Sequence, residues 1–155
     1  MSDSAKRGRT VELFVFDCFI ALAKIKKVAS KFDSAQDLMH SFTDWDCVIR
    51  EFEILGEASK HLLNHNLLES RYRKIVDFRN QITHEYFGID EDIVWAIINN
   101  ELHAFEETIF NIIDNIDKEL KQELIDSFIE DNSYLDFIVK ELESLGSRKR
   151  EKGED

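Results

Sequence analysis

Apolar residues recur along most of this chain at spacings of three and four, the period of helices that pack one face against a core. No stretch alternates apolar and polar residues for long enough to predict a β-strand. The 155 residues include no proline and only five glycines, so long helices meet few breaks. The pattern predicts an all-α fold, and the length suits one domain with a real core.

The same pattern divides the chain into individual helices. We expect Ser34, Ser70 and Asp90 to cap helix N-termini, and Gly88 and Gly146 to follow helix ends. The predicted helices cover 10–31, a short segment after Ser34, 43–64, 71–86, 91–116 with a possible break at Asn99-Asn100, 118–130 and 134–145.

Gly56 lies inside the third predicted helix, where glycine costs about 1 kcal/mol relative to alanine. Close approach of a second helix backbone would explain it. A tolerated glycine with no special role is an equal alternative.

The first predicted helix is apolar on most faces, but Glu12 and Asp17 interrupt it and it continues into Lys24. These features favour a core helix over a signal peptide, and no other run is long enough to span a membrane. Cys18 and Cys47 form no CxxC pair and are interpreted as core residues of a reducing compartment. We therefore expect a cytoplasmic protein.

The net charge of −12 is distributed unevenly. Residues 85–143 hold 17 acidic and 3 basic side chains, whereas residues 1–84 are nearly balanced. Global acidity argues against non-specific nucleic-acid binding. The charge is different locally, where a basic patch leads into the densest group of polar side chains in the chain. The patch consists of Arg71, Arg73, Lys74 and Arg79.

That group is the run from Arg79 to Tyr86, which contains a permanent cation, an amide, an imidazole and a phenol. His84 can move a proton near neutral pH, and Arg79 can stabilise charge that develops on a phosphate. Asn80 is expected to orient His84. Arg79 and His84 are five residues apart and diverge by about 140° on a regular helix. A shared site therefore needs a distorted helix end or a second chain.

The spacing Arg79-Asn80-x-x-x-His84-x-Tyr86 resembles the RNxxxHxY signature of the HepT-like branch of the HEPN superfamily. The stretches at 49–58, 86–90 and 93–95 resemble further motifs of that branch in the same order, and the similarity covers about residues 9–116. The resemblance implies an up-and-down helical bundle over 1–116 that forms a homodimer. A helical extension at 117–146 and a charged, disordered tail at 147–155 then follow.

The same resemblance implies the toxin of a type VII toxin–antitoxin pair. Arg79 and His84 of both chains would form a metal-independent endoribonuclease site with no cofactor, supported by Asn80. The partner would be an antitoxin nucleotidyltransferase of the MntA type, which would silence the toxin by transferring AMP to Tyr86. The acidic extension would either compete with RNA for the site, bind a partner, or serve simply as solvated packing helices.

Two alternatives stand beside this interpretation. Glu53, Glu57, His61 and His65 recur every four residues and could hold zinc, although a solvent-facing stripe explains them better. The protein could also be a non-catalytic helical dimer that binds a nucleotidyltransferase, which its overall acidity favours.

Overall fold

The structure is a computed structural model that describes residues 10–85 and 88–148. The described residues form eight α-helices, one short 3₁₀ helix at Ser70–Tyr72 and no strand, so the predicted all-α fold is confirmed. The helices are α1 (Val11–Ala29), α2 (Ala35–His40), α3 (Phe42–Asn64), α4 (Arg73–Glu85), α5 (Glu91–Asn100), α6 (Leu102–Asp114), α7 (Lys118–Asp131) and α8 (Asp136–Ser147).

Helix α1 lies at the centre of the bundle. It contacts α3 along most of its length and also packs against α5, α6, α7 and α8. Buried side chains therefore occur around most of its circumference, including Val15, Phe16 and Ile25, each with no exposed surface. The apolar character that the sequence shows on nearly every face of this helix follows from its having neighbours on several sides.

Helices α3 and α4 form a second tight contact, and this contact positions the candidate site. Phe52 and Phe78 meet edge to face with ring centroids 5.2 Å apart. A Cβ atom on Gly56 would lie 2.7 Å from Arg79 Cγ and 3.2 Å from the Ile75 carbonyl oxygen. Of the two explanations for Gly56, close approach of another helix is the correct one.

Several predicted boundaries hold because they depend on local capping chemistry. Ser34 Oγ accepts a hydrogen bond from the Asp37 amide at 3.1 Å, and Asp90 Oδ1 accepts one from the Asp92 amide at 2.8 Å. The possible break near Asn99-Asn100 is present, since α5 ends at Asn100.

Other boundaries differ from the prediction. Ser70 does not cap a helix that starts at Arg71: it begins the 3₁₀ helix, and α4 starts at Arg73. The cause is tertiary, because the Tyr72 hydroxyl is held by the Ala104 carbonyl oxygen and by Thr108 Oγ1 on α6. Helix α3 starts at Phe42, just before the expected Thr43 or Asp44. Gly146 lies inside α8, which continues to Ser147.

The C-terminal helices α7 and α8 pack on each other and on α1. Phe128 of α7 stacks on Phe16 with ring centroids 5.2 Å apart. Beyond α8, Arg148 Nε donates to both oxygens of buried Asp114 at 3.2 and 3.1 Å. The tail from residue 149 onward lies outside the described residues.

Within the described ranges, no helix is both long enough and apolar enough to cross a membrane. Cys18 is buried and Cys47 partly buried, and both thiols are free. Burial raises the pKa of the Cys18 thiol well above its usual range, with Ser59 as its neighbour at 3.9 Å.

Candidate active site

Helix α4 carries the described part of the candidate site on the side opposite its buried stripe. Ile75, Phe78 and Ile82 face the core, whereas Asn80 and His84 are exposed. Arg79 lies between these two faces, with 31% of its side chain exposed. Tyr86, the predicted acceptor of AMP, lies outside the described residues.

The Arg79 guanidinium is held at both of its terminal nitrogens. Nη2 lies 3.2 Å from Glu57 Oε1 on α3, and Nη1 donates to Asn80 Oδ1 at 3.1 Å. A guanidinium has five N–H donors, so these two contacts fix its orientation and leave donors for a phosphate. Asn80 therefore contacts Arg79 rather than His84, the residue we expected it to orient.

Glu57 also connects Arg79 to a second imidazole. Its Oε2 atom lies 3.4 Å from His61 Nε2, and the His61 ring stacks on Phe14 of α1 with centroids 4.0 Å apart and planes 8° apart. Sequence reasoning missed the contact between Glu57 and Arg79, since it considered Glu57 only as a possible zinc ligand. The only available signal was the position of Glu57 beside Gly56.

The zinc alternative finds no support in the arrangement of its proposed ligands. His65 Nδ1 bonds to the His61 carbonyl oxygen at 2.9 Å instead of turning toward Glu57. Across residues 10–85 and 88–148, no three His, Cys, Asp or Glu side chains form a group that could hold a metal ion. Glu57 and His61 are half-exposed and bound to each other, as members of a surface stripe can be.

His84 lies in the last turn of α4, and no described residue forms a hydrogen bond or ion pair with its ring. Helix α4 is α-helical from Arg73 to Glu85, so no distortion brings His84 toward Arg79. The two side chains point in directions about 140° apart within one protomer. One chain therefore presents the two groups to different regions of space.

A cleft of about 340 Å³ opens beside Arg79, between α1, α3 and α4. Besides Arg79 and Glu57, its lining includes Phe14, Asp17, Arg50 and Glu53. The lining thus includes two cations, three carboxylates and one aromatic ring. This α1–α3–α4 cleft combines charge, hydrogen-bonding capacity and an apolar surface at the position of Arg79.

Arg79, which lines a cleft, and His84 lie on the same helix of this all-helical bundle, and the similarity to a known family covers both residues. The model of the family described as Ribonuclease HepT-like matches residues 20–112, more than half of the chain. The chain belongs to this ribonuclease HepT-like family. The matched segment runs from within α1 to within α6 and includes Arg79, Asn80 and His84.

Individual relatives agree with this assignment. The chain is 26% identical to "Putative RNase MJ1380" of Methanocaldococcus jannaschii over 105 residues, 65% of this chain and 94% of that protein. It is 34% identical to "Probable ribonuclease HepT" of Thermococcus cleftensis over 62 residues, 38% of this chain and 56% of that protein.

A third relative from Methanocaldococcus jannaschii is named "Gamma-glutamylcyclotransferase and putative RNase MJ0434". The identity is 29% over 76 residues, 47% of this chain and 34% of that protein, so the match spans only about a third of the relative's length. No solved structure gives a significant match to the chain.

Proposed function

We propose that this protein is a homodimeric, metal-independent endoribonuclease and the toxin of a type VII toxin–antitoxin pair. The observation that carries the proposal is the Arg79 guanidinium, which Glu57 and Asn80 orient, on a helix that also presents an exposed His84; Arg79 also lines a cleft. The family membership and the names of the relatives support RNA as the substrate.

The proposed reaction uses the RNA's own 2′-hydroxyl as the nucleophile. The His84 imidazole accepts the 2′-OH proton, and the 2′-oxygen attacks the adjacent phosphorus. The bond from phosphorus to the 5′-oxygen breaks, leaving a 2′,3′-cyclic phosphate on one fragment and a 5′-hydroxyl on the other. Arg79 stabilises the negative charge on the pentacoordinate phosphorus, and a protonated second imidazole donates the proton that the 5′-oxygen needs.

A dimer would bring an Arg79 guanidinium close to a His84 imidazole and would also supply the second imidazole. Because Arg79 and His84 diverge on one helix, we propose that a two-fold axis places two α4 helices side by side. Arg79 of one protomer then acts with His84 of its partner. The two histidines can serve as the base and the acid of one cleavage.

We propose that Tyr86 is the regulatory residue and that a nucleotidyltransferase of the MntA type is the antitoxin. The phenol oxygen of Tyr86 would attack the α-phosphorus of ATP and release pyrophosphate, which leaves AMP on the tyrosine. Tyr86 follows Arg79 by one heptad, so the added bulk and negative charge would oppose RNA binding beside the guanidinium.

A non-catalytic role is the alternative, and the charge distribution favours it. With 17 acidic and 3 basic side chains, residues 85–143 repel RNA and could attract a basic partner. In this case the protein would be a helical dimer that binds a nucleotidyltransferase and leaves RNA uncut.

Cleavage of total RNA by the purified protein in EDTA distinguishes these possibilities. We expect fragments ending in 2′,3′-cyclic phosphate from the wild type, and at least a hundredfold less cleavage from Arg79→Ala and from His84→Ala. Equal cleavage by His84→Ala and wild type would overturn the proposed site. The absence of cleavage by wild type would leave the binding role as the function.

A mixing experiment tests the dimer directly. Arg79→Ala and His84→Ala protomers each lack one group. A heterodimer of the two retains one cross-chain Arg–His pair but only one of the two histidines, so water has to protonate the 5′-oxygen and only part of the wild-type activity should return. Recovery of part of the wild-type activity on mixing supports a site built from two chains, whereas a mixture as inactive as its components argues against it.

For the regulatory step, intact mass measurement after incubation with ATP and the co-purified partner should show steps of one AMP. Loss of these steps in Tyr86→Phe is the expected result. Their persistence would place the acceptor elsewhere.

A further inference from the structure

We propose that the exposed side of α4 binds RNA along its length, with Arg73 holding a second phosphate at a distance from the phosphate that is cut. The inference rests on the proposed ribonuclease function and narrows its substrate to RNA that continues for several nucleotides beyond the cut on one side. It concerns a cation of the basic patch that the proposed reaction does not use.

Arg73 and His84 lie on the same side of α4, and both are exposed. They are 11 residues apart within the helix that runs from Arg73 to Glu85, and 11 residues make three turns plus about 20°. Their separation along the helix axis is about 16 Å. Side chains on a helix lean toward its N-terminus, so both lean in the same direction and remain apart. A strand that passes over His84 and follows α4 would therefore bring a different phosphate to Arg73.

The side of the helix between these two residues is polar. Asn80 is exposed, about 10 Å from Arg73 along the axis and about 20° from it around the axis. Its Oδ1 atom accepts from Arg79 Nη1 at 3.1 Å, and its amide N–H groups bond to no other described residue. An asparagine amide can donate to phosphate or sugar oxygens. Arg73, Asn80 and His84 thus form one row of groups that can hydrogen-bond an RNA backbone.

Arg73 differs from the cations beside it in the basic patch. Arg71 Nε donates to Glu69 Oε1 at 2.8 Å, and Lys74 Nζ lies 3.3 Å from Glu101 Oε2. No residue within the described ranges forms a hydrogen bond or an ion pair with the Arg73 guanidinium. All five of its N–H donors are therefore available to a phosphate, which a guanidinium can bind through two parallel hydrogen bonds.

One carboxylate on this side of α4 opposes RNA binding. Asp77 is exposed one turn after Arg73, about 40° from it around the axis, and the two form no ion pair among the described contacts. Its negative charge would repel a phosphate that passes close to it. Removal of this charge should therefore have an effect on RNA binding opposite in sign to removal of the Arg73 charge.

The first test measures binding of a fluorescent uridine decamer to the full-length His84→Ala protein, which lacks the proposed base. Addition of Arg73→Met should weaken binding about fivefold. It should also make the slope of log affinity against log salt shallower by about 0.7, the value for one phosphate of a single strand. Addition of Asp77→Asn should tighten binding. Lys74→Met is the matched control, because it removes a neighbouring exposed cation that already has a carboxylate partner, and it should leave the salt slope unchanged.

The second test varies the length of the RNA and uses protein that retains His84. A decamer with the mapped cut site at its centre is compared with the dinucleotide of that site, which has a single phosphate. Arg73→Met should raise KM for the decamer about fivefold with little change in kcat, and it should leave cleavage of the dinucleotide unchanged. A purely structural role of Arg73 would lower cleavage of both RNAs alike. Urea unfolding checks that each variant remains folded.

Equal effects of Arg73→Met and Lys74→Met on decamer binding would overturn the second phosphate site, and so would equal losses for the decamer and the dinucleotide. Either result leaves the ribonuclease proposal intact, because cleavage of total RNA by wild type tests that proposal separately. If wild type cleaves no RNA, the binding test still decides whether Arg73 holds a phosphate.

Discussion

Glu57 and Arg79 form an ion pair across the α3–α4 contact, with Oε1 of the glutamate 3.2 Å from Nη2 of the arginine. The two side chains are 43% and 31% exposed, so solvent screens the pair and its contribution to stability is small, about 0–1 kcal/mol. Its importance is geometric. An arginine side chain has many rotamers, and this pair selects the one that faces the cleft.

We predict that Glu57→Gln lowers kcat for RNA cleavage by about tenfold while the midpoint of urea unfolding changes little. The glutamine keeps the size of the side chain but loses the charge that holds the guanidinium. Glu69→Gln is the control, since it removes a more exposed Arg–Glu pair, Arg71 Nε to Glu69 Oε1 at 2.8 Å, away from the cleft. Equal effects of the two substitutions on kcat would contradict a positioning role.

We predict that Gly56→Ala destabilises the protein by about 1–3 kcal/mol, although alanine favours helices over glycine by about 1 kcal/mol. The added methyl group would overlap the Arg79 side chain and force α3 and α4 apart. Gly146→Ala is the matched control, because its nearest neighbour would be Gln122 Oε1 at 3.6 Å. That variant should gain up to about 1 kcal/mol in urea unfolding. A stabilised Gly56→Ala would refute the close contact.

The Asp114–Arg148 pair should anchor the C-terminal end of the described chain. Asp114 is 5% exposed and accepts from Arg148 at both oxygens, so Arg148→Met leaves a buried carboxylate without this donor. We expect a loss of about 1–3 kcal/mol in the free energy of unfolding. Lys140→Met, which changes an exposed cation of α8, should cost less than about 0.5 kcal/mol.

The two thiols should differ sharply in reactivity. Cys18 is fully buried with a raised pKa, whereas Cys47 is partly buried and its pKa is raised mainly by desolvation. In native protein we expect an aromatic disulfide reagent to label Cys47 slowly and to leave Cys18 unmodified. Both should react in 6 M guanidinium, where the expected count is two thiols. Native labelling of Cys18 at the rate of Cys47 would show that α1 is more accessible than its burial indicates.

Glu51 makes stability dependent on pH in a direction opposite to that of most carboxylates. Burial raises its pKa, and Lys24 at 4.0 Å offsets the effect only in part. The folded state therefore binds the proton at a higher pH than the unfolded state, so protonation of Glu51 adds stability as pH falls toward the unfolded pKa. Below that pKa the contribution is constant. The free energy of unfolding of wild type minus that of Glu51→Gln should rise as the pH falls from the folded-state pKa of Glu51 to its unfolded-state pKa. A difference that stays constant with pH would contradict the raised pKa.

Features set by neighbours in sequence could be predicted. The cap at Asp90, the break before Glu101 and the apolar circumference of α1 depend on local hydrogen bonds or on periodicity. The divergence of Arg79 and His84 follows from helix geometry alone. The Glu57–Arg79 pair could not be predicted, because it depends on the rotation of α4 against α3. The start of α4 at Arg73 was missed for a related reason, since Tyr72 bonds to a helix far along the chain.

The central position of α1 has a consequence for synthesis of the protein. It is the first described helix to leave the ribosome, yet Phe16 is covered by Phe128 of α7, which is made much later. Until then the part of its apolar surface that α7 covers is open to other chains, and nascent polypeptides with exposed apolar surface aggregate. Production of this protein should therefore be sensitive to translation rate and chaperone supply even when the finished fold is stable.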